Sequence, residues 1–310
     1  MTTELTTDPT RAAAVLRRGG TCALPTETVY GLAALAHDPE AVAAVFRAKG
    51  RPVDNPLIVH VLRADEVDRV ADVTDAGRRL LDAFAPGPLT VVLPARPGLP
   101  SAVTAGLATV AVRVPRGRAV REVLRGLGAP LVAPSANQSG RPSPTTWQAV
   151  RDDLDGRIDA ILTGASARIG LESTVVDATG AVPLVLRPGA VSLDALRAVV
   201  PSTRRADPGV DALRQSPGTR HRHYAPQARV RLVDAPEPSP DALWIGLAPP
   251  PPGYGAAVVC RDLADYARRL FDTFRQADAA GLARIDAEPV PEDDGLGTAL
   301  MDRLRRACAR

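Results

Sequence analysis

Lysine, asparagine, aromatic residues and paired cysteines are all scarce in this 310-residue chain. Of 38 Lys and Arg residues, one is lysine, Lys49, and the other 37 are arginine; asparagine occurs twice, at Asn55 and Asn137, and histidine four times. Cys22, Cys260 and Cys308 stand far apart with no CxxC pair. That excludes a zinc ribbon and a disulfide framework and makes a reducing, cytoplasmic compartment the expectation. Cys308 also fails the prenylation spacing. No apolar run reaches the ~18 residues of a membrane span, and the run after Leu243 is broken by four prolines from Pro249. The opening MTTELTTDPT is polar and unlike a signal peptide. Aromatics at 3 % leave Ala, Val and Leu to fill the interior. A net charge of +3 with no basic run and no interleaved aromatics permits anionic ligands such as nucleotides, and weak, transient RNA contact, without demanding nucleic acid.

What is present is globular in balance, with 45 % hydrophobic and 24 % charged residues, and the length suits two domains. Residues 1–201 alternate helical and strand-like stretches. Helices are expected over 11–18, 39–49, 75–84, 118–125, 146–154 and 193–199. Strands are expected over 21–24, 57–61, 89–93, 110–114, 131–133, 158–162, 174–177 and 184–186. Ala41, Val42, Val45 and Phe46, for example, give a 3.6-residue period. This alternation predicts an α/β domain around one twisted sheet. Residues 202–227 are rich in Pro, Arg and polar groups and read as a linker. Residues 228–310 read as a small Rossmann-like unit, with strands over 229–233, 243–245, 257–259 and 284–286 and helices over 263–279 and 296–307. It lacks a glycine-rich phosphate fingerprint, so no dinucleotide is assigned to it.

The scarce residues cluster. KGRPVDNPLIVH (49–60) holds the only lysine, one of the two asparagines and His60; the other asparagine lies in APSANQSGRPSPT (133–145). A compact ammonium beside Arg51 suits a crowded polyphosphate site in a way a second planar guanidinium does not. The segment follows a helix and enters a buried strand, where α/β sheets bind ligands. His60 reads equally well as a satisfied core histidine. PTETVYGL (25–32) suits a polar pocket floor or a plain cap and turn. On TVAVR, Thr109, Ala111 and Arg113 share one face, and an arginine there needs an anion or a partner carboxylate. Ser135, Asn137, Ser139 and Ser143 offer short donors on a loop of small residues. ESTVVD (172–177) sets Ser173 at a strand entrance, and Arg187 ends a strand in LRPGAV.

In this order PTETVYGL, KGRPVDNPLIVH, PGPLT, TVAVR, APSANQSGRPSPT, STVVD and LRPGAV resemble the Sua5/YrdC/YciO family, the threonylcarbamoyl-AMP synthases. SPGTRHRHYAP (216–226) with the tail resembles the long Sua5 form. The resemblance implies a YrdC-like twisted mixed sheet with helices, then a linker or lid and a small α/β C-terminal domain. It implies a nucleotidyltransferase that condenses L-threonine, bicarbonate and ATP, with Mg2+, into threonylcarbamoyl-AMP and pyrophosphate. The product would pass to the tRNA threonylcarbamoyl-transferase complex for t6A37 modification of tRNAs reading ANN codons. By motif position Thr28, His60, Arg113, the Ala133 backbone and Ser173 would hold threonine. Lys49, Arg51, Asn55, Thr109, Ser135, Ser143, Arg187 and Tyr224 would hold ATP, with Lys49 and Arg51 supplying catalytic phosphate charge. No protein metal ligand is implied. Two positions depart from the family pattern: Ala33 where a glycine is usual, which puts a local turn in question, and Ala85 where a tryptophan is common. An RNA-binding module is one alternative. A carbamoyl transferase of hydrogenase maturation is another, disfavoured by the missing CxxC pairs.

Overall fold

A computed structural model describes residues 2–207, 225–292 and 295–309. A large sheet is built from β1 (Glu4–Thr6), β2 (Cys22–Leu24), β3 (Gly31–Leu35), β4 (Ile58–His60), β5 (Leu89–Pro94), β6 (Thr109–Arg113), β7 (Leu131–Val132), β8 (Ala160–Leu162), β9 (Thr174–Asp177), β10 (Leu184–Arg187) and β11 (Arg204–Arg205). Helices α1 (Pro9–Arg17), α2 (Pro39–Lys49), α3 (Asp75–Phe84), α4 (Ser101–Thr104), α5 (Arg118–Leu127), α6 (Trp147–Leu154) and α7 (Leu193–Val199) lie between its strands. The strand order is β1-β8-β2-β3-β7-β4-β6-β5-β9-β10-β11. Parallel pairs such as β4–β6 and β5–β9 alternate with antiparallel ones such as β2–β3 and β5–β6. The sheet is therefore mixed, as the family resemblance implies.

Neighbouring residues on each central strand point to opposite faces. Val59, Val91, Val112 and Val176 enter the main core with Val42 and Val45 of α2, Leu80 and Leu81 of α3, and Leu154 of α6. Ile58, Val92, Ala111, Val175 and Leu186 form a small apolar floor on the other face. A third cluster packs Leu16 of α1 and Val123 and Leu124 of α5 against Leu24 and Leu131. Helix α2 starts where Asp38 accepts from the Glu40 and Ala41 amides, with Pro39 in the first turn; it ends at Gly50 in the left-handed region, φ 58°. That stop turns the chain sharply between Lys49 and Arg51.

The second sheet contains β12 (Arg229–Leu232), β13 (Ala242–Gly246), β14 (Ala256–Val259) and β15 (Arg284–Ala287), all parallel in the order β12-β15-β13-β14. Helices α8 (Leu263–Ala279) and α9 (Leu296–Cys308) cover it, and Tyr266, Phe271 and Phe274 fill its core. That core also takes in Val29 and Leu171 from the first unit. At the seam, the Ile169 and Gly170 amides donate to the Glu27 and Thr28 carbonyls at 2.9 and 3.1 Å. Gly170 has φ +83°, and a β-carbon there would lie 2.3 Å from the Arg268 Cα; α8 approaches this loop so closely that only glycine fits.

Several expectations shift. β1, β3, α4 and β11 were not expected from the sequence. Residues 202–227 do not all behave as a linker, because Arg204 and Arg205 pair with Leu184 and Val185 and extend the large sheet. Ala33 is no turn residue: it sits inside β3 opposite Cys22, wholly buried. Ala85 follows α3 and packs on the main core. Among the described residues no helix is long and apolar enough to cross a membrane.

Candidate functional site

A cleft opens on the face that carries the small apolar floor, lined by Thr28, Arg51, Ile58, His60, Arg113, Ala133, Ser135, Glu172, Ser173 and Arg187 among others. The register of four strands assembles it. β4 and β6 set His60 beside Arg113, β5 and β6 set Thr90 opposite Arg113, and Leu89 pairs with Thr174, one residue after Ser173. Thr90 and Ser173 hydroxyls meet at 2.7 Å. The loop after β7 closes one wall, with the Ala133 amide donating to the Ile58 carbonyl at 3.1 Å and Ser135 bridging to Gly31.

Arg113 is buried and donates from each of its three nitrogens: Nη1 to Thr28 Oγ1 at 2.8 Å, Nη2 to Glu27 Oε1 at 2.6 Å and Nε to the Gly87 carbonyl at 3.3 Å. Burial alone would raise the Glu27 carboxyl, but the Arg113 charge and hydrogen bond prevail and hold it at about 2. Glu27 Oε2 also accepts from the Gly117 amide at 3.1 Å. Arg113 therefore has the partner carboxylate its strand position requires, and still presents an edge to the cleft. Burial, then the Arg113 charge, push His60 down to about 3, so its ring is neutral. Its Nδ1 lies 3.1 Å from the Ile58 carbonyl. A carbonyl only accepts, which puts the proton on Nδ1 and leaves Nε2 as an acceptor.

Arg51 lines the cleft while Nε and Nη2 donate to the Asn55 and Pro56 carbonyls at 3.2 and 2.8 Å. Arg187 donates from Nη2 to the Ser173 carbonyl at 3.0 Å and to its Oγ at 3.3 Å. Glu172 is 7 % exposed. Its burial is outweighed by Arg303, then Arg187, which hold the carboxyl below its ordinary value.

Eight of the expected site residues thus line one cleft: Thr28, Arg51, His60, Arg113, Ala133, Ser135, Ser173 and Arg187. Lys49 stands behind its wall. It is 3 % exposed, and Nζ donates to the Ser135 and Asn137 carbonyls at 2.5 and 2.6 Å, so it fastens the 135–137 loop. Burial, then the Arg51 charge, lower its ammonium well below the usual lysine value. Asn55 is buried in the turn that Arg51 bonds. Ser143 Oγ donates to Glu172 Oε1 at 2.5 Å, one step back from the cleft. Extending the β4–β6 register two residues from the Ile58–Ala111 pair sets Thr109 level with Pro56, at the Arg51 end. Tyr224 lies outside the described residues.

The sequence reading missed Glu27, Glu172, Asp153, Arg275 and Arg303. Glu27 was signalled only by the demand of Arg113 for a carboxylate. Asp153 is wholly buried as a side chain and takes Arg141, Arg275 and the Gln138 amide, which shapes the loop after Asn137. Arg275 and Arg303 come from α8 and α9, and nothing in a chain of 37 arginines marks these two.

The family model described as "Telomere recombination" (Sua5_yciO_yrdC) matches residues 14–189, and that described as "Threonylcarbamoyl-AMP synthase, C-terminal domain" matches residues 191–309. The threonylcarbamoyl-AMP synthase of Pyrococcus abyssi is 39 % identical over 320 residues, covering 96 % of this chain and 92 % of the relative. That of Bacillus subtilis is 38 % identical, covering 99 % and 95 %. The crystal structure of P. abyssi Sua5 complexed with L-threonine superposes with a TM-score of 0.91 at 36 % identity, covering 99 % of this chain and 98 % of that one. Fold and both halves of the sequence agree, and the chain belongs to the Sua5/YrdC/YciO family in its long, two-part form.

Proposed function

We propose that this protein is an L-threonylcarbamoyladenylate synthase, a nucleotidyltransferase that joins L-threonine, bicarbonate and ATP. One observation carries the reading: the cleft combines three guanidinium groups with a neutral, acceptor histidine. Support comes from relatives of that name along nearly the whole chain and from the threonine complex of the P. abyssi protein.

In this reading Arg113, held by Glu27, takes the threonine carboxylate. Thr28 and Ser173 line the same end, and His60 Nε2 accepts a proton from the amine or hydroxyl of the substrate. Threonine and bicarbonate lose water to give a carbamate. Its oxygen attacks the α-phosphorus of ATP, the bond to the β-phosphate oxygen breaks, and pyrophosphate leaves. Arg51 and Arg187 stabilise the charge on the phosphates, while Lys49 acts through the loop it fastens. Catalysis then rests on positioning and charge rather than on a covalent intermediate. In this reading Mg2+ comes with the triphosphate and adds positive charge beside its phosphates. Threonylcarbamoyl-AMP then goes to a cytoplasmic tRNA-modifying complex.

Pyrophosphate release is measured with ATP and bicarbonate, and each amino acid in turn. Release that depends on threonine is expected. Release indifferent to the amino acid, or none at all, overturns the reading.

A further inference from the structure

Glu172 is a negative charge in a cleft otherwise built for anions. Its two oxygens have separate partners: Oε1 accepts from Ser143 Oγ at 2.5 Å and Oε2 from Arg303 Nε at 2.9 Å. Arg303 belongs to α9, is 0 % exposed, and also donates from Nη2 to the Pro188 carbonyl at 3.1 Å and from Nη1 to Asp302 Oδ2 at 2.6 Å. It is absent from the cleft lining and stands behind Glu172. On the cleft side the nearest competing cation is Arg187, whose charge already acts on Glu172 and whose guanidinium bonds Ser173.

A buried carboxylate that loses one cation turns to the next or repels whatever anion arrives. Either outcome damages a phosphate site: Arg187 is neutralised, or the triphosphate meets an uncompensated charge. We propose that Arg303 is a positioning residue for nucleotide binding, which holds the Glu172 carboxylate from behind the cleft wall so that it does not turn to Arg187 and cancel its charge. The C-terminal unit thereby supplies part of the charge balance of a cleft whose described lining comes from the first unit. The identity of the anion as ATP rests on the function proposed above.

The test is binding of αβ-methylene-ATP to the full-length protein by calorimetry, which needs no turnover. Arg303→Met should weaken binding by about tenfold or more. Adding Glu172→Gln, which removes the charge but keeps the shape, should restore affinity to within about threefold of wild type, since the double variant has no charge left to misdirect. A merely structural role for Arg303 predicts no such rescue. Wild-type affinity in Arg303→Met, or a double variant as weak as the single, overturns the proposal. If Arg303→Met does not fold, Glu172→Gln alone decides: equal or tighter binding supports the proposal, and a tenfold loss overturns it. A wild type that binds the analogue but releases no threonine-dependent pyrophosphate overturns the function and leaves the role of Arg303 standing. A wild type that does not bind it overturns both.

Discussion

His60 shows how one side chain carries a pH signature. Its folded value of about 3 lies below the ordinary histidine value of 6.5, so the unfolded chain takes up the proton first. The stability linked to this group is complete above pH 6.5 and declines as pH falls from 6.5 towards 3, by ~1.4 kcal/mol per unit. His60→Gln removes the titration. Urea unfolding at pH 7 and pH 5 should show the wild type losing ~2 kcal/mol more than the variant; equal losses would refute a buried neutral ring. At this scale the sequence was informative about types and silent about directions. Arg113 announced a need for a carboxylate but did not name Glu27. The lone lysine pointed to a loop whose Arg51 lines the cleft. That its ammonium would be spent on carbonyls 86 and 88 residues away depends on where β7 releases the chain, which local sequence does not encode.

Elements were legible where periodicity was strong. Helices 39–49, 75–84 and 193–199 fall where the apolar spacing places them. β3 escaped because GLAAL is poor in β-branched and aromatic residues and becomes a strand only by pairing with β2 and β7. β11 is two residues held by an edge. Gly50 and Gly170 separate backbone freedom from close approach. Gly50 has φ +58° and nothing within 4 Å of where a methyl group would stand, whereas at Gly170 that methyl would meet the α8 backbone at 2.3 Å. Gly50→Ala should cost about 1 kcal/mol. Gly170→Ala should cost about 3 kcal/mol, because the seam must part. Unfolding midpoints compare the two; equal losses would mean that α8 yields without cost.

The whole molecule was read as two units and a joint, and their mutual insertion was invisible. Arg275 and Arg303 leave the second unit to pair with buried Asp153 and Glu172 of the first, while Val29 and Leu171 cross the other way. Removing residues 208–310 therefore takes a cation from each of two buried carboxylates and exposes apolar surface. The shortened chain should melt lower, bind an apolar dye such as ANS, and lose most threonine-dependent pyrophosphate release; unchanged melting and turnover would show the second unit to be a passenger.

The seam has one more consequence. The amides of Ile169 and Gly170 are bonded to the backbone that carries Thr28, beneath α8. They exchange with deuterated solvent only through an opening of that seam. Their protection is a built-in gauge of how tightly the two units are closed, and a ligand that draws the cleft together slows them without touching them.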